Sequence, residues 1–218
     1  MVSGDHITKE LVNFHVKNAR ATLAKQKANK SSTLDSSFIQ SLGCIELELA
    51  DTSECCEYPT GCMILRTNVK IPGTLDTATS SLTRVGPVNL TEPAFQPIEF
   101  ERVPFAGYNK YTKHLIKWFT TDSSNYIYLL IDEDDYLDMS LEVINIRGIF
   151  ENPEDVSSFT NCSTGESCFN TDSQYPVPDS MILTIQDIVI KNFLGVQYKQ
   201  PLDSTNDGKV NPENTITK

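Results

Sequence analysis

Six cysteines are the residues of this 218-residue chain that most readily suggest chemistry. They are Cys44, Cys55, Cys56, Cys62, Cys162 and Cys168. None of them has the C-x-x-C spacing typical of zinc sites, and no histidine lies near them in the sequence. The Cys55-Cys56-x5-Cys62 cluster could still supply three metal ligands, with Cys44 or a C-terminal cysteine as the fourth. Because this spacing is atypical, we predict no metal site and no cofactor.

The same cysteines could instead form disulfides. The chain opens without the charged and then apolar layout of a secretory signal, so free thiols are the expected state. Cys162 and Cys168 bracket a short polar loop, and these two could close a disulfide after release into an oxidising medium. Both the free and the bonded states therefore remain open for this pair.

Catalytic residues are sparse. The only histidines are His6, His15 and His114, and no nucleophile motif lies near them. The acidic run 132–135 has two carboxylates at calcium-loop spacing but lacks the central glycine and the later ligands, so a solvated hairpin tip is expected. With no phosphate-binding or metallohydrolase motif either, we predict that the protein is not an enzyme and has no catalytic residues.

Charge is distributed unevenly along the chain. The formal net charge is -11, from 18 basic and 29 acidic residues, yet residues 1–30 carry +4 and the rest therefore carry -15. A basic segment of this kind can bind nucleic acid or a membrane, pair with an acidic surface of a neighbouring copy, or be a solvated helix face. Residues 41–65 contain five acids and no basic residue, which predicts a surface of uniform negative sign. No apolar run approaches the roughly 20 residues that a membrane span needs, so no membrane partner is predicted.

Two helices are predicted, one near each end. Residues 5–28 contain neither Gly nor Pro, begin after a capping Asp5, and carry a broad apolar arc opposite a basic side. Residues 180–194 follow a capping Asp179, are apolar over most of their circumference and end at Gly195. A strand remains an alternative for this second segment because it is rich in β-branched residues. The polar residues 199–218 would be ordered only by a partner.

Between the helices the pattern has the period of strands. Cys44–Leu49 alternates strictly, and the later segments are rich in β-branched and aromatic residues. The predicted strands are 44–49, 63–71, 82–88, 95–100, 115–120, 125–131 and 141–150. Strands at this spacing, separated by Pro and Gly, are typical of an antiparallel sandwich or small barrel.

These elements predict an α+β fold. An antiparallel β-sandwich or small barrel is inserted between an N-terminal amphipathic helix and a C-terminal apolar helix, with an extended C-terminal tail. The predicted boundaries are an N-terminal helix and linker at 1–37, a β domain at 38–156, a loop and helix at 157–198, and the tail at 199–218.

Four stretches of the chain resemble a known family. They are Ser41-Leu-Gly-Cys-Ile-Glu followed by Cys55-Cys56 and Gly61-Cys-Met-Ile-Leu-Arg-Thr; Lys70-Ile-Pro72 with Leu82-Thr-Arg-Val-Gly86; Tyr108-Asn-Lys-Tyr-Thr; and Ile146-Arg-Gly-Ile-Phe-Glu-Asn-Pro-Glu-Asp-Val156. Together they resemble the head-to-tail connector ring proteins, or adaptors, of short-tailed phages, especially the crAss-like group. The likeness spans roughly residues 38–200.

This resemblance implies a virion structural protein, assembled in the host cytoplasm. Its partners would be further copies in a twelve-fold ring, the portal and neighbouring tail ring proteins, with genomic DNA only passing through the channel. In such rings the terminal helices form a helical body and the β insertion packs against neighbours. The residues we expect at subunit interfaces are Lys17, Arg20, Lys27, Ile185, Ile188 and Phe193.

Two other classes stay open. An accessory or receptor-recognition β-sandwich module of a virion would expose aromatic side chains at loop tips, around Tyr108, Tyr111 and Trp118. A nucleic-acid-binding or regulatory protein would bind DNA through the basic helix, and Lys→Glu substitutions along that helix would abolish the binding.

Overall fold

The computed structural model describes most of the chain, in segments. The described residues are 8–30, 35–51, 53, 63–75, 81–106, 110–112, 114–121, 124–131, 141–170 and 172–191. The chain divides into two compact units. One contains residues 1–19 and 179–218, and the other, which we call the β unit, contains residues 20–178. The predicted Asp5 cap, the acidic run 132–135, the Gly195 cap and the tail lie outside the described residues.

Helix α1 spans Lys9–Lys30. Thr8 is placed as its N-cap, because the Thr8 hydroxyl accepts a hydrogen bond from the Leu11 N–H at 3.3 Å. In the β unit, Arg20, Ala24 and Ala28 form one buried stripe at a spacing of four residues. The second helix, α2, spans Asp179–Val189 and belongs to the other unit.

The described part of the β unit contains eight strands in one sheet. The strands are β1 (Gln40–Ser41), β2 (Ile45–Asp51), β3 (Met63–Thr67), β4 (Leu82–Pro87), β5 (Gln96–Pro97), β6 (Lys117–Thr120), β7 (Ile127–Leu130) and β8 (Val143–Gly148). Their order is β1-β8-β2-β3-β7-β6-β5. β1 and β2 pair with different parts of β8, end to end along one edge, and β4 pairs with its opposite edge. Three short 3-10 helices follow α1, β5 and β8, at Ser36–Phe38, Phe100–Phe105 and Pro153–Ser158.

The α+β class is confirmed, but the sheet differs from the predicted one. It is a single curled, mixed sheet resembling half a barrel rather than a purely antiparallel sandwich. The exception to antiparallel pairing is β5, which runs parallel to β6 through Gln96↔Lys117 and Pro97↔Trp118. A parallel neighbour requires a long crossover instead of a hairpin, and the 3-10 helix between β5 and β6 lies in that connection.

Two apolar clusters hold this sheet together. The larger is centred on β7 and β8, where Ile127, Leu129, Ile144 and Ile146 are almost wholly buried. The smaller is formed by Ile64, Phe119 and Tyr128, with the two aromatic rings stacked at 5.3 Å between centroids. Alternate residues of β6 and β7 therefore face different clusters, so both faces of these strands are covered.

Candidate assembly surfaces

Arg20 is the most deeply buried charged residue of the β unit as described, with no exposed surface. Its guanidinium donates three hydrogen bonds to backbone oxygens. Nε donates to Pro176 O at 2.9 Å, Nη1 to Phe150 O at 2.9 Å and Nη2 to Phe38 O at 3.4 Å. The five donors of arginine suit such a site, because the three carbonyls come from different segments. Arg20 thus joins α1 to three separate parts of the β unit.

Burial lowers the pKa of Arg20 to about 10, with Tyr175 a smaller opposing influence. That value still leaves the group charged at neutral pH. The sequence predicts Arg20 at a subunit interface and in a possible DNA-binding surface, whereas in the single subunit the whole side chain is buried within the β unit. The interface assignment stays a prediction. The helical periodicity of the sequence places Arg20 on the basic side of the helix and does not predict that this one residue is buried.

The other basic candidates of α1 differ from Arg20. Lys17 is half-buried, while Lys27 Nζ lies 3.1 Å from a carboxylate oxygen of Asp35. Asp35 also caps the first 3-10 helix by accepting from the Ser37 N–H at 3.1 Å, and this bond, followed by that of Lys27, lowers the pKa of Asp35. Part of the positive charge of α1 is therefore used within the β unit. The assignment of Lys17 and Lys27 to an interface stays a prediction.

In the unit of residues 1–19 and 179–218, which we call the helical unit, the exposed apolar side chains are not the predicted interface residues. Ile185 is buried, Ile188 is partly buried and Phe193 lies outside the described residues. Five large apolar side chains are exposed instead. They are Leu11, Phe14, Ile182, Leu183 and Ile190. Leu183 is 75% exposed and Phe14 is 57% exposed, so the helices of this unit present apolar surface that the described residues do not cover.

The acidic strand β2 is less uniform in charge than its sequence suggests. Across the β2–β3 pair, Arg66 Nη2 lies 2.8 Å from Glu48 Oε1, and the Asn68 side chain donates to Glu46 at 3.1 Å. The Arg66 guanidinium also lies 4.3 Å from the centroid of the Tyr126 ring. The predicted surface of uniform sign is therefore partly neutralised by β3, because cross-strand pairing brings in a basic residue from just beyond the acidic segment.

The structure pairs Cys44 with Cys162, which corrects the expectation of free thiols for these two residues, and it leaves unformed the Cys162–Cys168 bond that the sequence had left open. The reason is backbone pairing: the Cys44 N–H donates to Thr160 O at 3.1 Å, which brings the Cys44 and Cys162 Cα atoms to 5.0 Å. Cys168 remains a free, half-buried thiol, and burial raises its pKa. The two partners are 118 residues apart, so spacing alone gave no signal for their pairing.

This connectivity predicts the result of peptide mapping. Digestion of the unreduced chain at glutamate, which cuts after Glu166 between Cys162 and Cys168, should give a linked peptide pair containing Cys44 and Cys162, with Cys168 in an unlinked peptide. The same digest after reduction is the control, in which the linked pair separates. A peptide in which Cys162 is linked to Cys168 would contradict the arrangement.

The aromatic residues expected at loop tips do not gather on the surface. Trp118 is buried in the larger cluster, Tyr111 is exposed, and Tyr108 lies outside the described residues. This corrects the aromatic patch on which a receptor-recognition module was predicted, since its largest member packs inside the sheet. Trp118 is buried because successive residues of β6 point alternately into the two apolar clusters.

Metal and membrane sites find no support in the described segments. Within them, no three His, Cys, Asp or Glu residues form a group that could hold a metal ion, and no helix is long and apolar enough to cross a membrane. The Cys55, Cys56 and Cys62 cluster lies outside these segments. His114 is exposed at a turn that precedes β6.

A groove of about 680 Å³ opens on the β unit, and we call it the polar groove. It lies beside β1 and β8 and is bounded on its far side by segments 161–169 and 173–177. Arg147 is the one charged residue among the described residues that line it. Sequence reasoning missed this groove, because it forms from five segments that only the fold brings together, the fifth being 88–90.

Comparison with known proteins points to one family. Residues 3–214 match the family model described as phage tail ring protein 2. The chain is also similar to ring protein 2 of Bacteroides phage crAss001, with 28% identity over 211 residues that cover 94% of this chain and 86% of that protein. The resemblance to ring proteins of crAss-like phages, predicted from strand and turn motifs, is confirmed.

Proposed function

The chain belongs to the phage tail ring protein 2 family, and on that premise we propose that it is a subunit of a ring in the portal-to-tail connector of a short-tailed phage. Membership makes it a structural ring protein of a crAss-like phage tail, and therefore a component of the virion. The family is a structural one and not an enzyme family. In the proposed role the ring helps to join head and tail and forms part of the channel for the genome.

The observation that carries this proposal is the exposed apolar surface of the helical unit. A closed ring is built from heterologous contacts, so each subunit needs two different faces that bury surface against its neighbours. Phe14, Leu183 and Ile190 are each more than half exposed, as expected for side chains that a neighbouring subunit covers. Lys17, Lys27, Ile188 and Phe193 remain candidates for the same contacts.

Charge supports the proposal in a second way. The first 30 residues carry +4 and the remainder carries -15, so the basic segment of one subunit can pair with acidic surface of a neighbouring copy. We propose twelve copies, with the portal and neighbouring ring proteins as partners. Acidic surface facing the lumen would let DNA pass without binding, because like charges repel.

A change on α2 tests the proposed interface. Leu183→Glu should reduce ring formation at least tenfold, because it buries an unpaired charge in the contact between subunits. The fold of the single subunit should not change, because the Leu183 side chain is 75% exposed there. Mass photometry of the purified variant measures the fraction assembled. Gln186→Glu, which adds the same charge to an exposed position of the same helix, is the matched control and should assemble as the native chain does. Equal assembly of the two variants would contradict this interface.

A further inference from the structure

We propose that the polar groove is the docking site for residues 199–218 of a neighbouring copy of this chain. This inference rests on the proposed ring, since it needs a neighbour at a fixed position. It goes beyond ring membership in assigning a donor segment and an acceptor site. Three features of the groove carry it: unpaired polar atoms, an apolar rim and the near absence of charge.

The first feature is a pair of carbonyl oxygens that lack hydrogen-bond partners. The Asn145 amide nitrogen donates to Ser41 Oγ at 3.0 Å and to Gly43 O at 2.9 Å, and this fixes the amide with Oδ1 unpaired. The Gln40 amide nitrogen likewise donates to Pro153 O at 3.2 Å, which leaves Oε1 unpaired. Both side chains are more than nine-tenths buried and line the groove. Both oxygens lie just beneath the groove surface with almost no accessible area, so a donor reaches them once neighbouring side chains of the wall move aside. Each unpaired buried acceptor costs free energy that such a donor would recover.

The Tyr175 hydroxyl is a third unpaired group on the same groove. It can donate or accept, so the groove offers acceptors together with one group of either kind. An extended polypeptide supplies both kinds of partner through its N–H and C=O groups and through amide and hydroxyl side chains. The half-polar, open lining differs from the mainly apolar walls of small-molecule pockets.

The second feature is apolar surface beside these polar atoms. Leu90 is 53% exposed at the rim, and Phe169 and Val177 lie in the wall. The third feature is charge: Arg147 alone is charged among the described lining residues, so the groove lacks the basic side chains that DNA phosphates need. A neutral, polar segment with a few spaced apolar residues fits this combination.

Residues 199–218 have that composition. They contain three lysines, two aspartates and one glutamate, so their side chains sum to zero charge. Eight of the twenty residues are Asn, Gln, Ser or Thr, which offer donors to the unpaired oxygens. Leu202, Val210 and Ile216 supply spaced apolar side chains for the rim. In a ring, each subunit would give one such segment and receive another, which raises the local concentration of the donor.

Photo-crosslinking in the full chain tests the assignment. Unlabelled copies carry benzoylphenylalanine in place of Val210 and are mixed with 15N-labelled copies that lack it. We expect cross-links from the unlabelled segment to labelled groove peptides, which contain residues 88–90 and 168–177. Leu90→Lys in the labelled copies should lower their yield at least tenfold, whereas Leu49→Lys should not. Leu49 is a matched control because it is 50% exposed on β2, outside the groove.

Particle mass, measured on the same samples, separates this inference from the proposed function. Assembled particles that lack labelled groove cross-links, or that respond equally to both Leu→Lys changes, would overturn the docking site and leave the ring intact. If no particles form, the proposed ring fails. Binding of a fluorescent 199–218 peptide to the full chain then tests the groove alone, with a scrambled peptide as control. Tenfold weaker binding on Leu90→Lys supports the groove, and no binding overturns it.

Discussion

Arg20→Met should lower the free energy of unfolding by roughly 3 kcal/mol, because it leaves three buried carbonyls without donors at about 1–3 kcal/mol each and removes a smaller burial cost of the charge. Methionine keeps much of the apolar volume of the arginine stem, so the loss reports the hydrogen bonds to Phe38, Phe150 and Pro176. Burial lowers the pKa of Arg20 to about 10, which corresponds to about 3 kcal/mol of burial cost that the variant no longer carries. Subtracting this return from a loss of about 6 kcal/mol, the middle of the range for three carbonyls, leaves the expected net loss of roughly 3 kcal/mol.

Urea titration followed by circular dichroism measures this loss as a shift of the midpoint at unchanged slope. Lys30→Met is the matched control, because Lys30 is an exposed basic residue of the same helix and should change stability by no more than about 0.5 kcal/mol. Arg20→Lys should fall between the two, since one ammonium group cannot reach three carbonyls as the guanidinium does. A native-like midpoint for Arg20→Met would show that the three hydrogen bonds add no stability.

Gly43→Ala should cost roughly 2–5 kcal/mol, from a backbone effect and a packing effect that add. Gly43 has φ of 70°, which disfavours any residue with a Cβ. An added Cβ would also lie 2.0 Å from Thr160 O and 2.9 Å from Cys168 Sγ. The approach cannot relax without moving the backbone that pairs Cys44 with Thr160.

Gly165→Ala isolates the backbone part of this effect. Gly165 has nearly the same φ, 69°, but a Cβ there would meet nothing within 4 Å. We therefore expect a loss of about 1 kcal/mol for Gly165→Ala, and a clearly larger one for Gly43→Ala, by the same urea titration. Equal losses at the two glycines would mean that the contact with Thr160 is not restrictive.

The strands were predictable because their chemistry is local. Lys117–Thr120, Ile127–Leu130 and Val143–Gly148 are rich in β-branched and aromatic residues, and all three are strands in the structure. The parallel β5–β6 pair was not predictable, because two residues carry no sign of which neighbour they will pair with. Pairing is a property of the whole sheet.

The candidate sites were harder to predict for the same reason. Cys44 and Cys162 meet because β2 starts beside Thr160, a contact between positions more than 100 residues apart. In the sequence Arg20 looks like any basic residue on the solvated face of a helix, as Lys17 and Lys27 do. It differs from them only in its hydrogen bonds to three carbonyls that are distant in the sequence. Family motifs in strand and turn segments, by contrast, are contiguous, and they led to the correct family before any contact was known.

The mass of the assembled particle tests the central claim most directly. Mass photometry is applied to the purified chain alone and to the chain mixed with the portal protein of its phage. We predict a closed ring of twelve 24.4 kDa copies, or about 293 kDa, in one of the two samples or bound to the portal. A particle that remains at 24.4 kDa in both samples would contradict the proposed ring subunit.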